Sequence, residues 1–180
     1  MESKITDEIK KYNVHEIAEI KVEKINISME VRKMCELNHC GLYNKNWQCP
    51  PAVGELDLLK SNVKKYSKAV VFSNVTEIED SYDFEGMIEA GKEHSKKCLK
   101  IKEDTSKLLG NDDFMILGAG GCSICETCTY KENKPCRLPH KAIASMEAYG
   151  MDVVNLSKVC GMKYINGVNT VTYFGVVLFN

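Results

Sequence analysis

The stretch FMILGAGGCSICETC, residues 114–128, joins a short apolar run to three closely spaced cysteines. The run at 114–118 predicts a buried β-strand that delivers the chain directly into a cysteine loop. Cys122, Cys125 and Cys128 then occupy every third position. A cubane iron–sulfur cluster has an iron at each corner, so three thiolates with this spacing can each reach a different iron. Zinc sites usually combine two separated pairs of ligands, so the triplet favours iron–sulfur over zinc.

Cys136 is the candidate fourth ligand of this cluster. In bacterial ferredoxin-type sequences the fourth cysteine follows sooner and precedes a proline, whereas Cys136 precedes Arg137. The polar segment 129–135, TYKENKP, is long enough to return Cys136 to the other three thiols. The nearby glycines would either let backbone N–H groups approach the cluster sulfides or simply turn the chain, and Arg137 would offset negative charge.

A second group of cysteines lies in CELNHCGLYNKNWQCPP, residues 35–51. Cys35, Cys40 and Cys49 occur in a segment too polar and irregular to be core packing, so we expect a metal centre here as well. The Cys-Pro pair at Cys49 is also found in two-cluster ferredoxins, where such a cysteine ligates the neighbouring cluster. If these thiolates hold a second cubane, four alternatives remain for its fourth ligand: Cys160, His39, a ligand exchanged from the other loop, or an open position.

Several residues near these loops have two interpretations. Cys98 lies on the apolar face of a predicted helix and is expected in the core. Cys160 lies at a helix end, where it is a ligand or a core thiol, and we favour the core. Tyr43 and Trp47 would either shield the first cysteine group from water or pack as ordinary aromatic residues.

The spacing of apolar residues predicts helices alternating with strands. Helices are predicted over 5–12, beginning at Thr6 or Asp7, and over 55–65 and 84–109. The run at 69–75 predicts a strand. Alternation over 18–29 predicts two more strands whose register changes near Glu23 and Lys24.

The chain beyond Cys136 predicts further elements. Residues 141–149 suit a helix that stops at Gly150, 152–155 a strand, and 156–160 one helical turn. In the segment 164–179 an Asn-Gly pair separates β-branched and aromatic residues, which predicts a terminal hairpin. The expected fold class is therefore α/β (or α+β): a mixed sheet flanked by helices, with cysteine-rich cluster-binding loops and a C-terminal β-hairpin.

Composition limits the classes of partner. The 24 basic and 25 acidic residues show no basic stripe, so nucleic acid is not an expected partner. We expect no membrane segment and no secretion signal, because no run approaches the roughly 18 apolar residues that a span requires. Nine cysteines, an odd number, then indicate metal ligands or buried thiols in the cytoplasm rather than disulfides. A chain of 180 residues is expected to form a single metal-binding domain over 1–180.

Two motifs together carry a resemblance. A C…C-G-x-Y…C-P-P segment followed by LGAGGCSICETC…PCRLPHKAIASMEAYGMDV resembles a family of small prokaryotic proteins known as predicted metal-binding proteins, a domain of unknown function. The similarity runs from about Cys35 to the end of the chain, and Cys98 and Cys160 lie outside the pattern. The resemblance brings no established activity. It implies metal or iron–sulfur binding through Cys35, Cys40, Cys49, Cys122, Cys125, Cys128 and Cys136.

Three functions fit these residues. A cluster with four cysteine ligands has no open iron, so electron transfer through one or two [4Fe-4S] clusters is the first expectation, with zinc as the less favoured metal. A cluster held by three cysteines would expose an iron for desulfidase- or dehydratase-like catalysis. A cluster carrier or redox sensor is the third. The expected partner is a redox protein or a small molecule, and the sequence predicts no oligomeric state.

Overall fold

Four antiparallel strands form one sheet in the computed structural model, which describes residues 3–180. The strands are β1 (Glu16–Lys21), β2 (Lys68–Glu77), β3 (Phe114–Leu117) and β4 (Thr170–Phe179), in the order β1-β2-β4-β3. The helices are α1 (Lys4–Lys10), α2 (Met29–Met34), α3 (Leu56–Val63), α4 (Phe84–Leu109) and α5 (Val153–Val159). The expected class, a sheet flanked by helices, is confirmed, but the sheet is not mixed as predicted: every strand pair in the described chain is antiparallel.

The two faces of the sheet bury different helices. Val70 of β2 packs with α1 and α4, whereas its neighbour Val71 packs with α3 and α5. Successive side chains of a strand point to opposite faces, so a central strand buried on both faces reads as an uninterrupted apolar run. Burial on both faces explains why every residue in the first half of the segment 69–75 is apolar, instead of apolar and polar residues alternating.

The long helix α4 has the bounds that its apolar spacing predicts. The Asp83 side chain accepts the backbone N–H of Gly86 at 2.8 Å, and the helix ends at Gly110, whose φ is +97°. Its buried face includes Cys98, which is 1% exposed and lies in the core as expected. The predicted helix over 55–65 and the strand at 114–118 are confirmed as α3 and β3.

The segment before the first cysteine differs from the prediction. Ser3, rather than Thr6 or Asp7, caps the first helix. β1 is the only strand between residues 16 and 29, because residues Val22–Lys24 form a 3-10 turn and the Ser28 side chain accepts the N–H of Glu30 to begin α2. A serine at this position satisfies an otherwise unpaired helix N–H, which outweighs the alternation that predicted a second strand.

The segment after Cys136 also differs from the prediction. Residues 142–145 run beside Gly118 instead of forming a helix: Gly118 donates to Ala144 O and accepts from Met146 N, each at 2.9 Å. The predicted strand at 152–155 is the start of α5, because the Asp152 side chain accepts the N–H of Asn155 at 2.9 Å. Tertiary pairing and a helix cap therefore decide this region.

The C-terminal segment ends in the single strand β4, and the expected hairpin partner does not form. β4 pairs with β2 along the whole of one edge and with β3 along the other over residues 176–179, and residues 164–169 form no strand beside it. Asn166 instead donates to Lys163 O and to Thr172 Oγ1 within a turn. None of the helices in residues 3–180 combines the length and the apolar character needed to cross a bilayer.

Candidate metal centre

The four thiols of the downstream group line one small cavity. Cys122, Cys125, Cys128 and Cys136 all border it, and each is partly exposed. The cavity lies in the loop that follows β3, and its volume is about 20 Å³. The fold therefore brings together the four side chains that the sequence groups as ligands of one centre.

Hydrogen bonds within the loop return Cys136 to the other three thiols. The 3-10 turn Thr129–Glu132 is followed by Asn133 in the left-handed region, with φ of +53°. The Thr129 hydroxyl donates to Pro135 O at 2.9 Å, and Arg137 Nη1 donates to Thr127 O at 2.8 Å. The segment 129–135 thus closes on itself, as its length and polarity allow.

Of the four cysteines, Cys122 has a sulfur that receives two backbone hydrogen bonds. The backbone N–H groups of Ile124 and Ile143 donate to its sulfur, which favours the thiolate, although burial is the larger effect and raises the pKa of Cys122. Ile143 belongs to the extended segment that pairs with Gly118. Two N–H donors aimed at a cysteine sulfur are the type of interaction that tunes a sulfur-ligated metal centre.

A lysine on α4 interacts electrostatically with the Cys122 thiol. Lys102 is half-buried, and its ammonium group donates to Ala142 O at 2.9 Å. Burial lowers the pKa of Lys102, and its attraction to Cys122 opposes that shift. Sequence reasoning missed Lys102, although its position one turn after Cys98, at the margin of the buried helix face, is a weak signal.

The upstream thiols lie close together on a less enclosed loop. Cys35 ends α2 and is half-buried, Cys40 is exposed and Cys49 is buried. Burial, opposed by the hydrogen bond from Asn46 and assisted by the charges of Cys40, Cys35 and Cys122, raises the pKa of Cys49 to about 11. The fold therefore places Cys49 within electrostatic reach of both cysteine groups.

The two groups meet at Gly121. A Cβ atom on this glycine would lie 2.5 Å from Leu42 Cδ1 and 3.3 Å from Cys49 Sγ. The side chain of Asn46, which is 4% exposed, donates to Cys49 Sγ at 3.2 Å. Glycine at position 121 is needed because the upstream loop packs directly against the backbone beside Cys122.

Aromatic residues hold the two loops against each other. Trp47 borders the four-thiol cavity, and its Nε1 donates to Lys134 O at 3.0 Å. Its ring meets Tyr130 edge to face with centroids 5.0 Å apart, and the Tyr130 hydroxyl donates to Asn44 Oδ1 at 2.6 Å. Trp47 therefore covers the downstream thiols, whereas the sequence suggested a shield for the upstream ones.

A buried arginine fixes the start of the upstream loop. Arg32, on α2, is 8% exposed and donates to Ala148 O and, at 2.8 Å, to Gly54 O. Gly54 lies just after the upstream loop and Ala148 lies far along the chain, so one side chain ties the start of the loop to both segments. The sequence offers no pattern that identifies this contact.

Glu147 is a polar group beside the upstream thiols that sequence reasoning did not single out. Burial is the largest influence on this carboxyl and raises its pKa, and its charge raises the pKa of Cys35. Glu147 begins the 3-10 turn Glu147–Tyr149, which packs against α2 and α3. A carboxyl whose pKa is raised by burial therefore lies near Cys35.

The candidates for a fourth upstream ligand differ in position. Cys160 packs against the core on the α5 face, and burial raises its pKa to about 11. His39 is exposed on the same loop as the three thiols. Among residues 3–180, no group of three or more His, Cys, Asp or Glu side chains is arranged to hold a metal ion as it stands.

Cysteines from the two loops lie near the end of β3, and backbone donors and the charge of Lys102 act on Cys122. Sulfur ligands with such surroundings are typical of metal-binding proteins. The chain belongs to the family described as Predicted metal-binding protein (DUF2284), whose model matches residues 18–179. The family expected from the two cysteine motifs is thereby confirmed, and the match begins before the first of them. No curated protein and no solved structure matches the chain.

Proposed function

We propose that this protein binds a [4Fe-4S] cluster through Cys122, Cys125, Cys128 and Cys136 and acts in electron transfer. The observation that carries the proposal is that these four thiols border one cavity. When bound, a cluster with cysteine at every corner would supply single-electron transfer without an open coordination position. A second cluster would be held by Cys35, Cys40 and Cys49.

The chain's own groups suit that role. The N–H donors of Ile124 and Ile143 stabilise negative charge on the Cys122 sulfur, and Lys102 adds a positive charge nearby. Trp47 limits the access of water to the four thiols. These features would make the reduced, more negative state of the site easier to reach.

The size of the cavity is the observation that favours zinc. About 20 Å³ holds roughly one water molecule, so a cubane cluster would require the polar loop 129–135 to move outward, and a single ion would require less movement. Most of the loop is exposed, so its outward movement would break only a few surface hydrogen bonds, including those from Trp47 to Lys134 O and from Tyr130 to Asn44. We therefore retain iron–sulfur as the proposal and zinc as the alternative metal.

A second candidate function is catalysis at the upstream group. The charges of Cys35 and Cys40 act on Cys49 there, Cys160 packs against the core, and burial raises the pKa of the Glu147 carboxyl near Cys35. A three-cysteine cluster with an open iron could bind a substrate that Glu147 protonates. Dependence of activity on Glu147 under the Glu147→Gln substitution would favour this candidate over electron transfer.

The remaining proposals concern the location of the protein in the cell and its partners. All nine cysteines are free thiols, which suits a reducing cytoplasm, and we propose this location. We propose a redox protein or small molecule as partner, without nucleic acid or membrane. The nearly balanced charge supports the exclusion of nucleic acid.

The first experiment is anaerobic purification followed by measurement of iron, acid-labile sulfide and zinc. We expect a brown protein with iron and sulfide in near-equal amounts. Cys136→Ala should lose the downstream cluster, whereas the control Cys160→Ala should retain it. Stoichiometric zinc without sulfide would overturn the iron–sulfur proposal.

The charge of Lys102 provides a test of the electron-transfer role. Lys102→Met should lower the midpoint potential by some tens of millivolts, because removal of a nearby positive charge disfavours the more negative reduced state. Lys100→Met removes a charge from an exposed position of the same helix and is the matched control. Equal potentials in the two variants would contradict the proposed influence of Lys102 on the centre.

A further inference from the structure

A larger cavity lies beside the downstream thiols. It has a volume of about 360 Å³ and lies between α4 and the chain that follows β3. Cys122 borders both this cavity and the four-thiol cavity. Small-molecule sites have volumes of about 300 to 1,000 Å³, so this one suits a compact organic ligand.

The inner wall of the cavity is apolar. Leu99, Ile124 and Ile143 contribute aliphatic side chains, and the Cys98 thiol lies among them. Cys98 is 1% exposed, and a buried thiol of this kind behaves as a small apolar group. The body of a ligand in contact with this wall should therefore be hydrocarbon.

The histidine in the wall offers no free charge or hydrogen bond. His94 is 2% exposed, its Nδ1 accepts from the Asn74 side chain at 2.8 Å and its Nε2 donates to Phe174 O at 3.0 Å. Burial lowers the pKa of His94 to about 4, so the ring is neutral at pH 7. Its part in the cavity is to provide a flat, uncharged surface.

The outer rim carries positive charge. Lys92 and Lys96 lie one helical turn apart on α4 and are exposed, and no Asp or Glu among residues 3–180 lines the cavity. Each lysine is paired with a glutamate three residues earlier, Glu89 at 3.3 Å and Glu93 at 2.5 Å. Exposed pairs of this kind are worth only about 0.2 to 1 kcal/mol, so a ligand anion can compete for either ammonium group.

We infer that this cavity binds a small organic acid with an apolar body. Its carboxylate would pair with Lys92 and Lys96 at the rim, and its hydrocarbon part would contact the wall between Leu99 and Cys122. Binding needs no metal. The position of the ligand beside the proposed cluster rests on the proposed function.

Calorimetric titration of the reduced, metal-free full chain tests the inference. The probes are benzoate, 4-methylpentanoate and 3-phenylpropionate, each compared with its neutral amide. We expect at least one acid to bind in the millimolar range or tighter, and at least tenfold more tightly than its amide. No binding by any acid, or equal binding of acid and amide, would overturn the inference.

Three variants locate the bound probe. Lys92→Met with Lys96→Met should weaken acid binding at least tenfold, and Ser95→Phe should abolish it by filling the cavity. Lys107→Met is the control, because Lys107 forms the same kind of exposed pair, with Asp104, outside the cavity. Should Ser95→Phe fail to fold, the exposed lysine variants still decide, and an effect of Lys107→Met as large as theirs would overturn the inference.

The cluster proposal and the acid-binding inference can be tested independently of each other. In anaerobic protein the acid that binds should shift the electron paramagnetic resonance spectrum or the midpoint potential, because Cys122 borders both cavities. Acid binding in a protein without iron would support the cavity and overturn the cluster. Iron and sulfide with no acid binding would do the reverse.

Discussion

The two cysteine loops are held in place by different means. The upstream loop is fixed to the core, through Arg32 at its start and through Cys49, which is buried against Gly121. The downstream loop is fixed mainly by its own hydrogen bonds between 127 and 137, on an exposed surface. The more firmly anchored loop carries three candidate ligands, and the self-closed one carries four.

This difference bears on how each site would be assembled. A loop tied to the core has its thiols positioned by the fold, whereas a loop closed on itself can widen around an inorganic centre. The two loops are coupled at few places: the junction at Gly121, the Trp47–Tyr130 ring contact, and the hydrogen bonds from Trp47 to Lys134 O and from Tyr130 to Asn44. We therefore expect substitutions to affect one site much more than the other.

The largest effect is expected from Cys40→Ser. Cys40 is exposed and belongs to the upstream group, so its loss should remove the metal of that group and leave the four-thiol signal intact. Iron and sulfide analysis with electron paramagnetic resonance measures both sites in one sample. Loss of every cluster signal in this variant would indicate one shared site and would contradict the treatment of the two loops as separate sites.

Removal of Arg32 should have the next largest effect. Arg32→Met leaves the carbonyls of Ala148 and Gly54 without their charged donor, at a cost of about 3 kcal/mol in the free energy of unfolding. Arg137→Met is the matched change in the downstream loop, where the side chain is half-exposed and the cost should stay below about 1 kcal/mol. Urea denaturation of the reduced, metal-free variants measures both, and equal costs would contradict the difference in anchoring.

A smaller effect is expected at the junction. Gly121→Ala places a methyl group against Leu42 and the Cys49 sulfur, so it should cost about 1 kcal/mol. Gly118→Ala is the control in the same segment, because its Cβ would lie 3.5 Å from Cys98 Sγ, an ordinary contact. Urea denaturation should separate the two variants. A neutral Gly121→Ala would show that the loops do not depend on each other there.

Sequence reasoning succeeded where one local pattern repeats over many residues. The apolar face of α4 gave its bounds, and the buried run at 69–75 gave β2, because both signals extend over several turns or strand pairs. It failed where one contact decides. The Ser28 and Asp152 caps place helix starts in two segments predicted as strands, and β4 takes its partners, β2 and β3, from earlier in the chain rather than from a hairpin.

The candidate site shows the same division. The cysteine spacing grouped Cys122 with its three neighbours before any fold was known, and the structure places the four around one cavity. The groups that surround them come from distant segments: Lys102 from α4, Trp47 from the upstream loop and Ile143 from the chain after Cys136. Their identity depends on tertiary contacts, which spacing does not encode.

The smallest expected effect concerns the aromatic contact between the loops. Tyr130→Phe removes the hydrogen bond to Asn44 on an exposed surface, so the free energy of unfolding should fall by only about 0.5 kcal/mol. Trp47 is the only tryptophan of the chain and borders the four thiols, so its fluorescence reports on this contact directly. We expect a change in Trp47 emission in Tyr130→Phe but not in the control Tyr82→Phe, whose ring is 81% exposed. Unchanged emission in both would show that the hydrogen bond from Tyr130 to Asn44 does not position the ring that Trp47 contacts.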